Sequence, residues 1–203
     1  FEPWDTSFYP EKLSKAKQLQ YASRQVSSIE VNGTYYSSFK EPTFVKWASE
    51  APDGFVYSLK GNRFVTNRRV LGEAGESMMR FLGSGVAALG DKLGPILWQF
   101  APTKKFDADD FETFLKLLPA KQDGVALRHA VEVRHDSFIV PEFAALARKY
   151  KADIVYADHA KYQGIADVTG DFIYARLQSG SDGNTDRYPP KGRDEGEARG
   201  KAW

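Results

Sequence analysis

Cysteine is absent from this sequence, and so are long hydrophobic runs and an excess of charge of one sign. Without cysteine the chain forms no disulfide, no thiolate metal site and no iron–sulfur cluster, and it has no cysteine nucleophile. No run of 18 apolar residues is present that could cross a membrane. No charged start followed by an apolar stretch marks a signal peptide. The first residue is Phe1 rather than methionine, so we expect a native start to precede it.

The balance of charge narrows the classes of partner. The 203 residues contain 28 Lys and Arg against 27 Asp and Glu, which leaves a net charge of +1. That balance is not the electrostatic signature of a general nucleic-acid binder or of a membrane-surface protein. The hydrophobic share of 42% and the charged share of 27% are typical of a folded domain. We therefore expect a soluble, cytoplasmic protein in which residues 1–203 form one domain.

Short runs with a strand-like pattern alternate along the chain with segments of helical periodicity. Asp107 stands where a helix N-cap belongs, and Pro141 stands where a first-turn proline belongs. Regular alternation of strand and helix predicts an α/β protein with a mostly parallel sheet. The strand-like runs are Ser28–Tyr35, Phe55–Lys60, Pro95–Phe100, Ala130–His135, Asp153–Asp158 and Phe172–Gln178.

The placement of polar residues within these runs favours a barrel over an open, doubly wound sheet. Neighbouring residues of a strand face opposite sides, so Glu132 and Arg134 share one face, and Val131 and Val133 share the other. A central strand of an open sheet is apolar on both faces. Here one face turns polar toward the C-terminal end, as the mouth of a barrel requires. We therefore predict a TIM-type (β/α) barrel with parallel strands inside and helices outside.

The sequence lacks part of what a complete barrel needs, and its C-terminal segment has an atypical composition. Six strand-like runs are fewer than the eight that a barrel needs, so we expect the first and last strands to be missing or truncated in this fragment. Residues 179–203 are rich in glycine and charge and nearly free of aliphatic side chains. Because the charges of that segment cancel, its composition predicts a mobile or interrupted loop rather than a basic binding patch.

Five segments in a fixed order carry a recognisable pattern: FYPEKL at 8–13, IEVNGTYY at 29–36, LGDKLGPILWQF at 89–100, VEVRHDSF at 131–138 and DFIYARL at 171–177. Together they resemble the YecE-like family, also called the domain of unknown function 72 family. The resemblance implies a TIM-type barrel, with a Gly-rich strand before Phe1 and a last strand and helix after Trp203. The family usually has proline at Ala101 and histidine at Gln178. The resemblance implies no reaction, because the family has no established activity.

Nine polar residues lie at predicted strand ends, where barrel enzymes carry their working residues. The catalytic candidates are Glu132, Asp158 and Glu30, whose carboxyl groups can move protons if burial or a like charge raises their pKa values. The alternative is a buried ion-pair lattice that fills the barrel without function. The candidate ligand-binding residues, which include cations suited to an anionic group, are Asn32, Lys60, Gln99, Arg134, Arg176 and Gln178.

The three histidines do not suggest a metal centre. His135 and His159 each follow a strand-end candidate, so strand alternation turns each away from the predicted mouth. The cationic neighbours also disfavour a metal ion, and we expect neither a metal nor another cofactor. His129 precedes a strand, and we expect it at the surface.

The leading functional hypothesis is an enzyme that acts on a small polar or anionic molecule, such as a phosphate-bearing one, at the barrel mouth. Acid/base chemistry of the hydrolase or lyase type is favoured, and the reaction is not indicated. Two alternatives stay open. One is a non-catalytic binding or scaffold domain, and the other is a nucleic-acid-associated protein, which the neutral overall charge disfavours. No membrane partner is expected, and the oligomeric state is not indicated.

Overall fold

Nine β-strands and eight α-helices are present in the computed structural model, which describes residues 2–5, 7–180 and 188–202. The strands are β1 (Ser28–Val31), β2 (Val56–Lys60), β3 (Leu93–Gln99), β4 (Lys121–Gln122), β5 (Val125–Ala126), β6 (His129–Glu132), β7 (Ala152–Ile154), β8 (Tyr156–Asp158) and β9 (Ala175–Leu177). The helices are α1 (Lys15–Ala22), α2 (Gly33–Tyr36), α3 (Glu41–Glu50), α4 (Arg63–Thr66), α5 (Gly75–Leu82), α6 (Ala108–Lys116), α7 (Pro141–Lys149) and α8 (Pro190–Ala202). Short 3-10 segments lie at Glu2–Asp5, Leu71–Ala74, Val86–Lys92 and Asp136–Phe138.

The central sheet is parallel, as the alternation of strand and helix predicts. Its strand order is β1-β2-β3-β6-β7, and every neighbouring pair is parallel. Strands β4 and β5 form a separate antiparallel hairpin, and β8 pairs with β9 in parallel. Only Val155 separates β7 from β8, and its N–H donates to the carbonyl of Val131 at 3.0 Å. The β8-β9 pair therefore continues the central sheet past its last strand.

The sheet curls so that side chains of its first and last strands meet. The guanidinium of Arg176 on β9 hydrogen-bonds to the carboxylate of Glu30 on β1. In a flat sheet, five strand spacings would hold these strands about 24 Å apart, beyond the reach of any two side chains. No closed barrel is present among the described residues, because β1 and β9 share no backbone ladder. The predicted TIM-type barrel is therefore seen only as a curled, mostly parallel sheet.

The hydrophobic core lies between the sheet and the helices. It is built on the strand residues opposite the predicted polar face, among them Tyr57, Leu59, Trp98 and Val131. The helix starts predicted from the sequence are confirmed. The side chain of Asp107 caps α6 by accepting a hydrogen bond from a backbone N–H at 3.0 Å, and α7 begins with a proline.

The C-terminal segment differs from its prediction. Helix α8 occupies Pro190–Ala202, where the sequence suggests a loop, and residues 181–187 lie outside the described part of the chain. The helix is polar on all sides, and ion pairs four residues apart, such as Lys191 with Glu195, support it locally. The high content of glycine and charged residues in 179–203 suggested a loop, although opposite charges recur four residues apart as in a helix. Within the described ranges, no helix has the length and apolar character needed to cross a bilayer.

Candidate functional site

The register of the sheet places a set of polar side chains on its inner, concave face. Residues paired in register share a face, so Glu30 lies beside Ser58, and Gln99 lies beside Glu132. The alternate residues, Val131 and Val133, belong to the core under the helices. The strand alternation seen in the sequence therefore separates polar from apolar side chains as the fold does.

An ion-pair network joins strands β1, β6 and β9 on this face. Arg176 donates from Nε to Oε2 of Glu30 and from Nη2 to Oε1 of Glu30, each at 3.0 Å. Its Nη1 donates to Oε2 of Glu132 at 2.7 Å. One guanidinium thus binds two carboxylates, and the paired contacts to Glu30 are the fork geometry that arginine forms with a carboxylate.

Glu132 lies at the centre of the network, and its residue is 0% exposed. Its Oε1 accepts a hydrogen bond from Nε of Arg134 at 2.7 Å. Its Oε2 accepts from Nη1 of Arg176 and from Nε2 of Gln99, the latter at 2.9 Å. Both oxygens of this carboxylate are therefore occupied by charged or amide donors.

Glu30 has further partners on the same face. The hydroxyl of Tyr174 donates to Oε2 of Glu30 at 2.9 Å and lies 2.7 Å from Oγ of Ser58. Oγ of Ser58 donates in turn to the carbonyl of Pro95 at 2.9 Å. Burial, and then the charge of Glu30, raise the pKa of Tyr174, so this phenol stays protonated. Glu30 is thus tied to β2 and β9 together.

Lys60 lies on the same face, in register with Leu97, and is only 7% exposed. Its Nζ lies 4.6 Å from the centre of the Tyr35 ring. Among the described residues, nothing forms a hydrogen bond or an ion pair with that Nζ. Burial lowers the pKa of Lys60, and the charges of Arg176 and Arg134 lower it further, against the opposing effect of both glutamates. Lys60 is therefore a desolvated amine without an acceptor in the part of the chain that the structure describes.

Arg134, whose charge acts on the amine of Lys60, presents unused donors on the same face. Its Nε is bound to Glu132, and its guanidinium lies over the ring of Tyr162, 5.1 Å from the ring centre. Within the described part of the chain, no acceptor binds Nη1 or Nη2 of Arg134. The two terminal NH2 groups of Arg134 and the amine of Lys60 are therefore donors of this face that have no acceptor among the described residues and are available to a ligand.

Asp158 does not join the network, which corrects the prediction that it faces the same lumen. It is in register with Leu177, on the face opposite to Arg176. The chain between β7 and β8 passes through Val155, and this residue and Ala157 occupy the inward positions. The carboxylate of Asp158 accepts hydrogen bonds from Ser179 at 2.9 Å and from Tyr188 at 2.8 Å. It belongs to the edge of the sheet.

Two other candidates are exposed and away from the network. Asn32 precedes α2, and its side chain forms no cap hydrogen bond there. The backbone N–H of Gln178 donates to the carbonyl of Asp158, while its side chain is exposed. The structure therefore brings together Glu30, Lys60, Gln99, Glu132, Arg134 and Arg176, and leaves out Asn32, Asp158 and Gln178.

The histidines have structural contacts. The sequence suggested that His129 lies at the surface, but it is buried. Both ring nitrogens are satisfied there: Trp98 Nε1 donates to Nδ1 at 3.1 Å, and Nε2 donates to the carbonyl of Pro119 at 2.8 Å. Nδ1 of His135 and Nδ1 of His159 accept backbone N–H groups two residues ahead of each. Across the described ranges, no group of three His, Asp or Glu side chains is arranged to hold a metal ion.

Two residues of the inner face, Ser58 and Tyr174, are not among the candidate site residues named from the sequence, although strand alternation places them on the polar face. Ser58 stands two residues before Lys60, and Tyr174 stands two residues before Arg176, so strand alternation puts each on the polar face. Their contact with each other and with Glu30 depends on the curl of the sheet, which no local pattern encodes.

Comparison with known families identifies the chain. The family model described as "Protein of unknown function DUF72" matches residues 1–203. The chain belongs to the DUF72 family. The resemblance stated from the sequence is thereby confirmed, since YecE-like is another name of the same family. Comparison with the curated proteins gives no match.

Two solved structures of DUF72 family proteins are similar to this DUF72 chain in fold. One, from Thermotoga maritima MSB8, has a TM-score of 0.73 and 22% identity, and the match covers 98% of this chain and 82% of that one. Another, from Enterococcus faecalis V583, has a TM-score of 0.68 and 15% identity, with 92% and 81% covered. These likenesses support the α/β fold with its mostly parallel sheet, and they carry no reaction.

Proposed function

We propose that this DUF72 protein is an enzyme that binds a small anionic molecule on the concave face of its curled sheet, with Arg134 and Lys60 as the cationic ligand-binding groups. One observation carries the proposal. The carboxylates of Glu30 and Glu132 are both fully bound by protein donors, whereas the terminal nitrogens of Arg134 and the amine of Lys60 have no acceptor among the described residues.

The charge of this face supports an anionic ligand. Three cationic side chains surround two carboxylates, which leaves one positive charge in excess when Lys60 is protonated. An uncompensated charge away from water is costly. An anion that lies between Lys60 and Arg134 would remove that cost and would gain charge-assisted hydrogen bonds from a guanidinium suited to carboxylate or phosphate.

The network behind these two cations has a positioning role in this proposal. Arg176 and Gln99 hold Glu132, and Glu132 in turn orients the guanidinium of Arg134. Glu30 and Glu132, which the sequence suggested as proton-transfer groups, have no oxygen free of donors, so we assign them to positioning. Lys60 is left as the group that can exchange a proton with a ligand, because burial and the charges of Arg176 and Arg134 lower its pKa.

The shape of the sheet supports a finer assignment of the fold. We propose a TIM-type barrel arrangement over residues 1–203, because the contact of Arg176 with Glu30 requires strong curvature of the sheet. The ligand then lies at the C-terminal ends of the strands, where barrel enzymes carry out their chemistry. We place this enzyme in the cytoplasm as part of the same proposal.

Calorimetric titration with phosphate, sulfate, pyruvate and citrate tests the binding site. At least one anion should bind the wild type, and Arg134→Met and Lys60→Met should each weaken it by about 10- to 100-fold, the value of one charge-assisted hydrogen bond. Lys46→Met, on the exposed side of α3, is the matched control and should bind as the wild type does. Equal affinity in all four proteins, or no binding at all, would reject the site.

A second measurement separates an enzyme from a binding domain. The protein is incubated with a pool of small anionic metabolites, and mass spectrometry follows their loss and the appearance of products. Turnover by the wild type that disappears in Lys60→Met supports the enzyme. Tight binding without turnover favours the non-catalytic binding domain instead. Binding of single-stranded nucleic acid with a steep salt dependence favours the nucleic-acid alternative.

A further inference from the structure

The lysines of this protein that are mostly shielded from water differ in what they bind. Nζ of Lys92 donates to the carbonyls of Ala48 and Ala51, at 2.6 and 2.7 Å. Nζ of Lys104 donates to a carbonyl and to the carboxylate of Asp110, each at 2.8 Å. Lys60 is as shielded as these two and has no such acceptor in the described part of the chain. A structural lysine satisfies its amine, so Lys60 does not follow the structural pattern.

From this contrast we infer that Lys60 is a nucleophile that forms a Schiff base with a small carbonyl compound carrying a carboxylate or phosphate group. The inference rests on the proposed anion site, because Arg134 would take the anionic group while the amine of Lys60 reaches the carbonyl carbon. A lysine acts in this way when its amine is desolvated or lies near other cations, since both conditions release the nitrogen lone pair.

The surroundings of Lys60 meet both conditions. Burial lowers its pKa first, and Arg176 and Arg134 lower it further by charge repulsion. Glu30 and Glu132 act in the opposite direction, but their oxygens already accept hydrogen bonds from Arg176, Arg134 and neighbouring donors. The ring of Tyr35 lies against one side of the amine, with its centre 4.6 Å from Nζ.

The backbone of Lys60 is held on both sides, which positions the nucleophile before a ligand arrives. The hydroxyl of Thr34 donates to the carbonyl of Lys60 at 2.7 Å. The N–H of Gly61 donates to the carbonyl of Leu97 at 2.9 Å. Placement of a reacting group on a strand with both neighbours fixed reduces the entropy lost on the way to the transition state.

The covalent step is a condensation. The nitrogen lone pair of neutral Lys60 attacks the carbonyl carbon, and the π bond of the carbonyl becomes a lone pair on its oxygen. The two hydrogens of the amine and that oxygen leave as water, and a C=N bond replaces the C=O bond. No oxidant or reductant takes part. Protonation of the C=N nitrogen from solvent then produces an iminium, which withdraws electrons from the adjacent carbon.

Borohydride trapping tests the inference on the full chain. The protein is incubated at neutral pH with pyruvate, with dihydroxyacetone phosphate or with acetone, reduced with sodium borohydride and mapped by peptide mass spectrometry. We expect a reduced adduct on Lys60 with one or both anionic carbonyl compounds and none with acetone. The two anionic arms distinguish a carboxylate from a phosphate requirement. Lys92→Arg, which changes a lysine with acceptors, should leave the adduct on Lys60 intact.

Lys60→Arg separates this inference from the anion site. This variant keeps a positive charge and loses the nucleophile, so it should bind inorganic phosphate or pyruvate in the calorimeter and form no adduct. Lys60→Met, checked for folding by circular dichroism, should also form none. Anion binding by the wild type with no adduct on Lys60, or adducts spread over surface lysines alone, overturns the Schiff-base inference and leaves the anion site standing. Failure of anion binding as well overturns both.

Discussion

Arg176 binds Glu30 across 146 positions of sequence, through two hydrogen bonds of 3.0 Å that join the last strand to the first. The same guanidinium binds Glu132 on β6, so one side chain holds three strands of the sheet in place. Because these charges are shielded from water, each depends on the others for compensation. This network therefore couples the curvature of the fold to the geometry of the proposed ligand site.

Replacement of Glu132 by glutamine should destabilise the fold strongly. Glu132→Gln leaves Arg176 and Arg134 without their shared charged acceptor, and breaking such a buried pair costs about 3–5 kcal/mol in the free energy of unfolding. Urea denaturation followed by circular dichroism measures it. Glu76→Gln breaks an exposed ion pair with Arg80 and should change stability little. If the two variants lose the same small amount, the network is not a desolvated one.

Replacement of Lys60 by methionine should stabilise the folded protein. The folded state lowers the pKa of Lys60, so it disfavours the ammonium form, and Lys60→Met removes that penalty. We expect the free energy of unfolding to rise by about 0.5–2 kcal/mol at pH 7, as at other sites where function opposes stability.

The sign of the pH dependence provides the check on Lys60. As pH rises from the lowered folded-state pKa toward the ordinary value of 10.5, the unfolded chain holds a proton on this residue that the folded chain has lost. The stability of the wild type relative to Lys60→Met should therefore rise over that interval. A variant that is less stable than the wild type at every pH would show that Lys60 is a structural cation.

Asp153 on β7 should make stability depend on pH between about 4 and 6. Its residue is 2% exposed and its Oδ1 has no hydrogen-bond partner among the described residues. Burial, and then the charge of Asp171, raise the pKa of Asp153 to about 6 from 3.8. In that interval the folded chain holds a proton that the unfolded chain has lost, so stability is full below about pH 4 and falls as pH rises through 6.

The Asp153→Asn variant tests this linkage. A pKa displaced by about 2 corresponds to about 3 kcal/mol, so the variant should be more stable than the wild type at pH 7 by about 2–3 kcal/mol and about equal to it at pH 4. Thermal unfolding at a series of pH values measures both. A constant difference between the two proteins from pH 4 to pH 7 would contradict the assignment.

Gly61 should not tolerate a side chain. A Cβ at this position would lie 2.3 Å from two ring carbons of the buried Trp98. Gly61→Ala must therefore displace either the indole or the strand end that carries Lys60, and we expect a loss of about 1–3 kcal/mol in the free energy of unfolding. Gly196→Ala on α8 meets no atom within 4 Å and is the control. Equal stability of the two variants would contradict this packing.

Strand alternation predicted a large part of the candidate site. Glu30, Lys60, Glu132 and Arg176 face one side of the sheet because residues two apart on a strand share a face, and that property is local. The same reasoning failed at Asp158. Alternation runs without a break through Asp153, Val155 and Ala157, which share the inward side, so Asp158 faces outward, and its polar character alone did not indicate its side.

The sequence by itself determined the alternation of strand and helix, the polar and apolar faces of the strands and the membership of the family, because periodicity and motifs are properties of neighbouring residues. Only the tertiary structure decided which charges pair. Arg176 reaches Glu30 because the sheet curls. That contact and the bonds to Glu132 occupy both carboxylates, so that, among the described residues, Lys60 has no carboxylate partner. Such pairing depends on distances between strands far apart in sequence, and local patterns carry no information on those distances.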